Sequence, residues 1–474
     1  MVLGVLSSRN KGRLVCSRTG FDGKGTGNDP LALQFPEFSS GKTDEDDRQQ
    51  FDKDSMAVEH IRNGRREFVV KEGSLQVVEK QRKRTLQTKA WDRLMRYFLP
   101  VGYPASVGPD YKEYTLWRLC AFFWGGCVGV FSTQGLLLAV GVGRQSSAPL
   151  AAALQWVIRD GVGRAGRMLF SQIGTGFDAE TKQHRLAAAW VLNMSCTLES
   201  ISPLFSNFFL PIACVANLAK GASTIAAAST RGAIYKSFMR WENLGDITAK
   251  QETVGVAGDL AGTALGILLS RMTSQNIYSS CVAFSTVSLL HLYAVYREVK
   301  GLQLSTLNRQ RSHMLINAYI NSAEVPTVLD LNRKERVLFK PWLDSLHRPN
   351  IDLAARLHDC APDAEALVYL IRLYKEEKYI LTYERERIRV VLRRDASSRD
   401  CLKAFYQAGE FWKAYEQRGD RERRNRDLVE ESYRLTNQQF GGFIKDAERH
   451  GWRTDSVLLR PVGRRVVWGD AMTK

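Results

Sequence analysis

The segment LQWVIRDGVGRAGRMLFS, residues 154–171, combines an apolar helical pattern with a set of charges. Helical spacing predicts two stripes, an apolar one of Ile158, Val162, Ala165 and Leu169 and a charged one of Asp160, Arg164 and Arg167. We therefore expect a helix that buries its apolar stripe in a core. Because long uncharged segments lie on both sides, we expect its charges to face protein or a wet cavity rather than lipid.

The charged residues are divided sharply along the chain. Residues 117–300 carry 24 charged residues in 184, whereas the other 290 residues carry 93. The net charge of +17 is spread over both parts, so it is not gathered into one groove. Such a balance suits an anionic membrane surface or nucleic acid. The basic run at residues 418–427 mixes both signs, which is typical of a solvated helix face, so nucleic acid is not an expected partner.

Three long segments are nearly free of charge. Leu119–Gly143 is 25 residues without a charge, long enough to cross a bilayer of about 30 Å. Leu186–Ala219 carries only Glu199 and is interrupted by proline at 203 and 211, and Gln275–Tyr296 is again uncharged. These segments predict membrane insertion. The alternative is a large soluble all-α domain whose buried helices happen to lack charge.

Glu199 and the glycines constrain how such a bundle packs. A carboxylate at mid-bilayer costs about 2.5–3.5 kcal/mol, so we expect Glu199 to be neutral, partnered or facing a cavity. Two sets of glycines predict close helix approach, a stripe of Gly255, Gly258, Gly262 and Gly266 and the spacing of Gly125 and Gly129.

The two ends of the chain have a different character. Residues 1–90 are predicted to be a disordered or targeting region, because the acid-poor first twenty residues are similar in composition to an organelle transit peptide; a plain disordered tail is the alternative. A hairpin around Glu72-Gly73 is also expected. After Lys300 the pattern predicts helices at 363–375, 400–416 and 424–449 and strands at 379–383, 388–392 and 456–468.

The predicted fold class follows from these parts. We expect a mainly α protein with a multi-helix, membrane-embedded bundle over residues 91–300. A small soluble α+β domain is expected to occupy residues 301–474.

The sequence carries no common catalytic motif. It has no P-loop, nucleophile elbow, HExxH, EF-hand or kinase signature, and its eight cysteines lack metal-ligand spacing. We therefore predict no metal and no cofactor. Lys220 or Lys250 would be the residue to form an imine with pyridoxal phosphate, but no phosphate cradle is visible.

Two further patterns bear on function. Asp246 and Lys250 are spaced to form a pair on a helix, either within a connector helix or at a ligand site. The pattern Asp-x-x-Gly-x-Ala-x-x-x-Leu-x-Ser at residues 160–171 recurs 99 residues later at residues 259–270. Repeated halves are typical of transporters.

An ordered set of motifs from residue 98 to the C-terminus resembles the root UVB-sensitive family. The motifs are FLPxGYP at 98–104, WVxRDG at 156–161, NLAK at 217–220, NLxDxxAK at 243–250, HxYxxY at 291–296, TLN at 306–308 and GWxT at 451–454. The resemblance implies a eukaryotic protein, membrane-bound and in plants often plastid-associated, with a mitochondrial address as the alternative here. It also implies links to UV-B responses in roots, seedling development and vitamin B6 homeostasis, and to paralogues that act as a pair. It implies no catalytic residue.

These expectations lead to one main hypothesis and two alternatives. The chain is expected to be a non-enzymatic membrane protein that contacts lipid and acts by binding a partner, such as a paralogue, or a small anionic metabolite, such as a B6 vitamer. The expected buried ion pairs or ligand-binding residues are Arg159, Asp160, Arg164, Arg167, Lys220, Asp246, Lys250 and Asp259. The alternatives are a transporter of a small anionic metabolite and an enzyme of vitamin B6 metabolism.

Overall fold

The computed structural model describes most of the chain after residue 54. The ranges are 55–61, 64–71, 74–81, 94–141, 149–172, 177–273, 276–338, 350–361, 363–384, 386–418, 425–459 and 464–468. The predicted transit segment, residues 1–20, and the part of the predicted disordered or targeting region up to residue 54 lie outside these residues. The chain divides into two compact units, Met1–Thr88 and Lys89–Lys474.

The first unit contains a small antiparallel sheet. Its strands are β1 (Ser55–Ile61), β2 (Gly64–Lys71) and β3 (Ser74–Gln81), in the order β1-β2-β3. Lys71 pairs with Ser74, which confirms the predicted hairpin around Glu72-Gly73. The sheet lies within residues 1–90, and the assignment of that range to a targeting region stays a prediction.

Six long helices form the first part of the second unit. They are α1 (Tyr111–Val140), α2 (Pro149–Ser171), α3 (Thr181–Ile201), α4 (Phe209–Phe238), α5 (Leu244–Thr273) and α6 (Ile277–Lys300). A 3₁₀ segment, Ser202–Phe208, separates α3 from α4 and contains Pro203. Proline lacks a backbone N–H and disrupts a helix interior, so the predicted interruption at Pro203 is confirmed. Pro211 lies in the first turn of α4, where proline is tolerated, so the predicted interruption at Pro211 is wrong.

The helices alternate in direction between two ends of the bundle. The domain end is where α1 begins and α4 ends, with the Tyr111 and Phe238 rings 5.5 Å apart. The far end is where the C-terminal half of α1 meets the 3₁₀ segment and the start of α4. Antiparallel order is set by the pairs Trp117–Tyr293 and Phe131–Phe284 for α1 with α6, and by Arg185–Glu298 and Asn193–His291 for α3 with α6.

The glycine stripe of α5 packs directly on α1. A Cβ on Gly258 would lie 2.8 Å from the Leu119 carbonyl oxygen, and one on Gly266 would lie 2.9 Å from Cys127 Cα. A Cβ on Gly262 would collide with the Phe123 carbonyl. The predicted backbone-contact face is therefore confirmed, and it holds α1 and α5 parallel because residue numbers rise together along both helices.

The predicted spacing of Gly125 and Gly129 is wrong as a contact motif. Gly129 has no neighbour within 4 Å, and Gly125 meets only the side chain of His291. Gly126 instead makes the close approach, since a Cβ there would lie 2.6 Å from the Asp259 carbonyl oxygen. The face of α1 that meets α5 is therefore one residue away from the predicted pair.

Helix α2 packs through a face that the apolar pattern did not predict. Ile158 and Leu169, expected in the core, are exposed, whereas Gly163 and Gly166 are buried against α4. Backbone approach at the glycines decides this interface, so the expected apolar core stripe of α2 is wrong within this chain.

Large apolar side chains cover the outside of the bundle. Helices α1, α4, α5 and most of α6 are long and apolar enough to cross a membrane. The outward side chains that are more than half exposed include Val157, Met168, Met194, Val256, Leu260, Ile267, Val282 and Leu289. Helix interiors rich in glycine with apolar exteriors are typical of bundles packed in lipid.

The remainder is a mixed α+β region built on its own core. Its helices are α7 (Arg309–Ser322), α8 (Val328–Lys334), α9 (Leu357–Cys360), α10 (Ala364–Leu373), α11 (Ser398–Arg418) and α12 (Asn425–Arg449). Its strands are β4 (Thr306–Asn308), β5 (Ile351–Leu353), β6 (Tyr379–Glu384), β7 (Arg387–Leu392) and β8 (Arg453–Leu458). β6 and β7 are antiparallel, β5 joins β7 in parallel, and β4 pairs with β8 in parallel.

Most of this region follows the predicted pattern. The three predicted helices and the two predicted central strands match α10, α11, α12, β6 and β7 within a few residues, whereas α7, α8 and α9 were not predicted. The amphipathic faces of α11 and α12 bury Phe405, Phe411 and Phe443 in the core. The predicted last strand at 456–468 is wrong in extent, because β8 begins at Arg453 and ends at Leu458. Val466 makes only an isolated bridge to Arg393. The mainly α fold with a small C-terminal α+β region is confirmed.

Replacing Gly262 by alanine is expected to lower the midpoint of thermal unfolding, because the added methyl would meet the Phe123 carbonyl. Overpacking of this kind costs about 1–3 kcal/mol. Gly129→Ala is the matched control, since its Cβ enters open space and alanine favours a helix by about 1 kcal/mol over glycine. Equal midpoints for the two variants in detergent would contradict the packing described.

Candidate anion-binding site in the helical bundle

Glu199 lies at the centre of a buried charged cluster formed by four helices. Its side chain is 0% exposed and accepts hydrogen bonds from the Ser132 hydroxyl of α1 and from Lys220 Nζ of α4. Arg159 Nη2 of α2 lies 3.5 Å from the other carboxylate oxygen. Glu199 is therefore partnered, as the sequence predicts for a carboxylate in an apolar segment.

The two cations of this cluster are less buried than the carboxylate. The side chains of Arg159 and Lys220 are 12% and 23% exposed. Arg159 also stacks over the Trp156 ring, with its guanidinium carbon 4.6 Å from the ring centre. Two cations and one carboxylate leave one net positive charge among apolar helices, where an electrostatic interaction is stronger than in water.

The other predicted residues of α2 do not join this cluster. Asp160 is exposed and is 3.5 Å from the amide of Asn217, and Arg164 is exposed with no ion pair among the described residues. Arg167 is half-buried and packs beside Gly221. The predicted stripe of Asp160, Arg164 and Arg167 therefore does not enter the cluster, and Arg159, which lies outside that stripe, is the charge of α2 that points inward.

Asp246 and Lys250 form a separate pair at the domain end. Their charged atoms are 4.0 Å apart on α5, which confirms the predicted pairing. Asp246 accepts a hydrogen bond of 2.7 Å from the backbone N–H of Val101, and Lys250 donates one of 2.5 Å to the carbonyl of Arg96. The pair therefore holds the segment that precedes α1.

Asp259 lies on α5 against α1, beside Gly126, and is exposed. Asp160 lies on α2 against α4. The two aspartates are therefore packed against different helices and are not brought together with Lys220.

A second buried cluster lies nearer the domain end. Glu298 is 0% exposed and pairs with Arg118 at 3.6 Å and with Arg185 at 3.2 Å. Arg118 is also fully buried and lies 3.6 Å from Glu252, which Arg231 approaches to 3.2 Å. Between the two clusters, Asn193 Nδ2 lies 2.7 Å from His291 Nδ1, and Asn193 Oδ1 is buried without a hydrogen-bond partner.

A third cluster joins the bundle to the C-terminal region. Lys182 Nζ of α3 donates to the Leu302 carbonyl at 2.8 Å and to Asn332 Oδ1 at 2.7 Å, and it pairs with Glu335 at 2.9 Å. Arg311 approaches the other oxygen of Glu335 to 3.0 Å. This cluster fixes α3 to the helices that follow Lys300.

Sequence reasoning missed Arg118, Glu298, Lys182 and Glu335. Arg118 and Glu298 stand at the margins of uncharged segments, where the sequence indicates a helix boundary, although both side chains are fully buried. One available signal was the equal spacing of 99 residues between Glu199 and Glu298, which matches that between Asp160 and Asp259.

The arrangement of the Glu199 cluster is better suited to binding an anion than to catalysing a reaction. Lys220 and Arg159 can hold an anionic group by charge-assisted hydrogen bonds, with Glu199 as the resident counter-ion. Among the described residues, no group of three His, Cys, Asp or Glu is placed to hold a metal ion.

Two family models cover the second unit of the chain. The model described as "Vitamin B6 photo-protection and homoeostasis domain" matches residues 84–323, and "Root UVB sensitive protein, C-terminal" matches residues 324–468. The predicted boundary at 300/301 stays a prediction. Leu302 and Val337 are buried in the core of the bundle, whereas Leu307 belongs to the core of the C-terminal region.

Curated relatives match along most of the chain. "Protein root UVB sensitive 6" of Arabidopsis thaliana is 33% identical over 82% of this chain and 81% of its own length. "Protein root UVB sensitive 2, chloroplastic" of the same plant is 30% identical over 83% of this chain and 89% of its own. "RUS family member 1" of Dictyostelium discoideum is 33% identical over 52% of this chain and 48% of its own. No solved structure matches.

The fold and the buried clusters define a mainly α protein in which an apolar six-helix bundle encloses paired charges and carries a small α+β region. The chain belongs to the root UVB-sensitive family, as its motifs indicate.

Acidification is expected to destabilise the protein through Glu335. Burial alone raises the pKa of Glu335, but Arg311 and Lys182 outweigh burial and hold the pKa below its ordinary value of 4.5. The folded state therefore binds this proton less readily than the unfolded chain. The resulting stability is present above about pH 4.5 and is lost as the pH falls through the folded-state pKa.

The thermal midpoint of the native chain should therefore fall more steeply below about pH 5 than that of Glu335→Gln. Glu324→Gln, which changes an exposed carboxylate, serves as the control and should keep the native slope. A Glu335→Gln slope equal to that of the native protein would contradict the assigned role.

Proposed function

We propose that this chain is a non-enzymatic integral membrane protein that binds a small anionic metabolite at Lys220 and Arg159. The single observation that carries the proposal is the Glu199 cluster, in which two cations meet one carboxylate inside apolar helices. Burying ions in such a place is costly unless they are paired, and ionisable groups there mark functional sites by default.

The membrane part of the proposal is supported by the exterior of the bundle. Four helices are long and apolar enough to span, and large apolar side chains such as Val256, Leu260, Val282 and Leu289 are exposed on them. Basic residues such as Lys236, Arg240 and Lys300 are more numerous toward the domain end than toward the far end, where Arg271 lies in the last turn of α5 and residues 200–219 carry no charge. By the positive-inside rule, the domain end and the C-terminal region would face the cytosol or stroma. One relative is named chloroplastic, which supports a plastid membrane, with the mitochondrion as the alternative.

A phosphorylated B6 vitamer is the ligand we propose. The matching family model carries vitamin B6 in its description, and a phosphate monoester supplies the anion that Lys220 and Arg159 would hold. Lys220 and Arg159 would exchange their ion pairs with Glu199 for ion pairs with the phosphate when the ligand binds. Binding would therefore compete with the Glu199 pair rather than add to it.

Partner binding is favoured by the outer face of α2. Arg164 is exposed there among Val157, Met168 and Leu169 and has no ion pair within the described chain. An unpaired charge on an apolar face is poorly placed against lipid. A second chain of the same family would cover it.

Titration calorimetry with pyridoxine 5′-phosphate tests the ligand, because this vitamer lacks the aldehyde that reacts with lysines. The native protein should bind it and should bind pyridoxine more weakly. Lys220→Met should weaken binding about tenfold or more, since a charged hydrogen bond is lost. Glu199→Gln should strengthen binding, because the competing carboxylate charge is removed.

Lys236→Met is the matched control, an exposed lysine in the last turn of the same helix, and it should bind as the native protein does. The absence of binding to native protein would contradict the proposal. An enzyme would instead show turnover, or a pyridoxal-imine absorbance band that disappears in Lys220→Met or Lys250→Met.

A further inference from the structure

The six helices divide into two halves of matching length and spacing. Helices α1 and α4 begin 98 residues apart, at residues 111 and 209, and they end 98 residues apart, at 140 and 238. The aspartate and glycine pattern of α2 recurs in α5 at a spacing of 99 residues. Helices α1–α3 therefore correspond to α4–α6.

The two halves are packed with opposite orientation. Corresponding helices run in opposite directions, since α1 leads from the domain end to the far end and α4 leads back. The packing is exchanged between halves, because α2 lies on α4 whereas α5 lies on α1, and α3 lies on α4 whereas α6 lies on α1. The repeated glycines allow a close helix contact in both halves, since Gly163 packs against Asn217 of α4 and Gly262 packs against Phe123 of α1.

The buried charges follow the same relation. Glu199 of α3 pairs with Lys220 of α4 towards the far end. Glu298 of α6, 99 residues after Glu199, pairs with Arg118 of α1 towards the domain end. Each pair therefore joins the third helix of one half to the first helix of the other.

The centre of the bundle is polar and lies between these pairs. Asn193 and His291, which are 98 residues apart, contact each other across α3 and α6. Asn193 Oδ1 is buried and has no hydrogen-bond partner, so it can accept a hydrogen bond from a bound molecule. The glutamates of the two ion pairs, Glu199 and Glu298, lie on α3 and α6, the same two helices that carry Asn193 and His291.

We propose that the bundle is an alternating-access transporter for a small organic phosphate, with the Glu199–Lys220 and Glu298–Arg118 pairs as its two gates. Inverted halves with a central polar site allow one gate to open while the other stays closed. Arg159 and Arg185 support the far gate and the domain gate respectively. The inference rests on the proposed function for its ligand, because Lys220 and Arg118 would each hold the phosphate as it passes.

Access to position 193 tests the two gates separately. Three variants of the full chain are prepared: Asn193→Cys alone, Asn193→Cys with Glu298→Gln, and Asn193→Cys with Glu199→Gln. Each is reconstituted in lipid vesicles at no more than one protein molecule per vesicle. Vesicles with the C-terminal end outward are selected through a C-terminal tag. A membrane-impermeant maleimide is added outside, and peptide mass spectrometry measures the labelled fraction at position 193 apart from the native cysteines.

Glu298→Gln should raise the outside labelling rate about tenfold over Asn193→Cys alone, because the domain gate no longer closes. Glu199→Gln should leave that rate unchanged or lower it. The order should reverse in vesicles of the opposite orientation. Equal changes in the two variants, or no change in either, would overturn the proposal. Thermal unfolding of each variant checks that it is folded.

Counterflow of labelled pyridoxine 5′-phosphate in vesicles separates this inference from the proposed function. The native protein and the Lys236→Met control should exchange it, and Glu298→Gln should lose exchange. Calorimetric binding without exchange would overturn the transporter and leave the proposed function standing. Loss of both binding and exchange in the native protein would overturn both.

Discussion

The structure depends on the pairing of charges inside an apolar bundle. Glu199, Arg118 and Glu298 are all fully buried, and each is held by an opposite charge from another helix. A buried pair is costly to assemble, but a single buried charge left alone is costlier still. The helices that supply these partners must therefore keep their register, and glycine makes this possible by letting backbones approach closely.

The same pairs connect the architecture with the proposed function. Well-packed apolar residues of similar volume can often replace a buried ion pair without loss of stability, so stability alone does not account for the choice of charged residues here. The two pairs occupy corresponding positions in the two inverted halves, and this correspondence is what suggests that they act together as gates. The Lys182–Glu335–Arg311 cluster adds a fixed connection to the C-terminal region, so a movement of α3 would be transmitted beyond the bundle.

Much of the fold could be predicted because local patterns decide it. The uncharged segments, the break at Pro203 and the amphipathic C-terminal helices follow from composition and helical period. Helix α2 could not be predicted in the same way, because Gly163 and Gly166 set its contact face while its apolar residues face outward. An apolar stripe marks a face that avoids water, and it does not say whether protein or lipid covers that face.

The candidate site could be predicted only in part for a related reason. Arg159, Lys220 and Glu199 are recognisable as charges within apolar sequence, but their meeting depends on how the three helices α2, α3 and α4 pack against one another. Asp246 and Lys250 were paired correctly because a helix places them four residues apart. Arg118 and Glu298 lie 180 residues apart, and no local sequence spacing predicts a contact at that separation.

The central claim is that the apolar exterior faces lipid while the ionised side chains stay inside. Alkaline carbonate washing of membranes that contain the full-length chain tests it most directly, because it strips proteins held only at the surface. The account predicts that the chain stays in the membrane pellet and is released only by detergent. Release of the intact chain into the carbonate supernatant would contradict it.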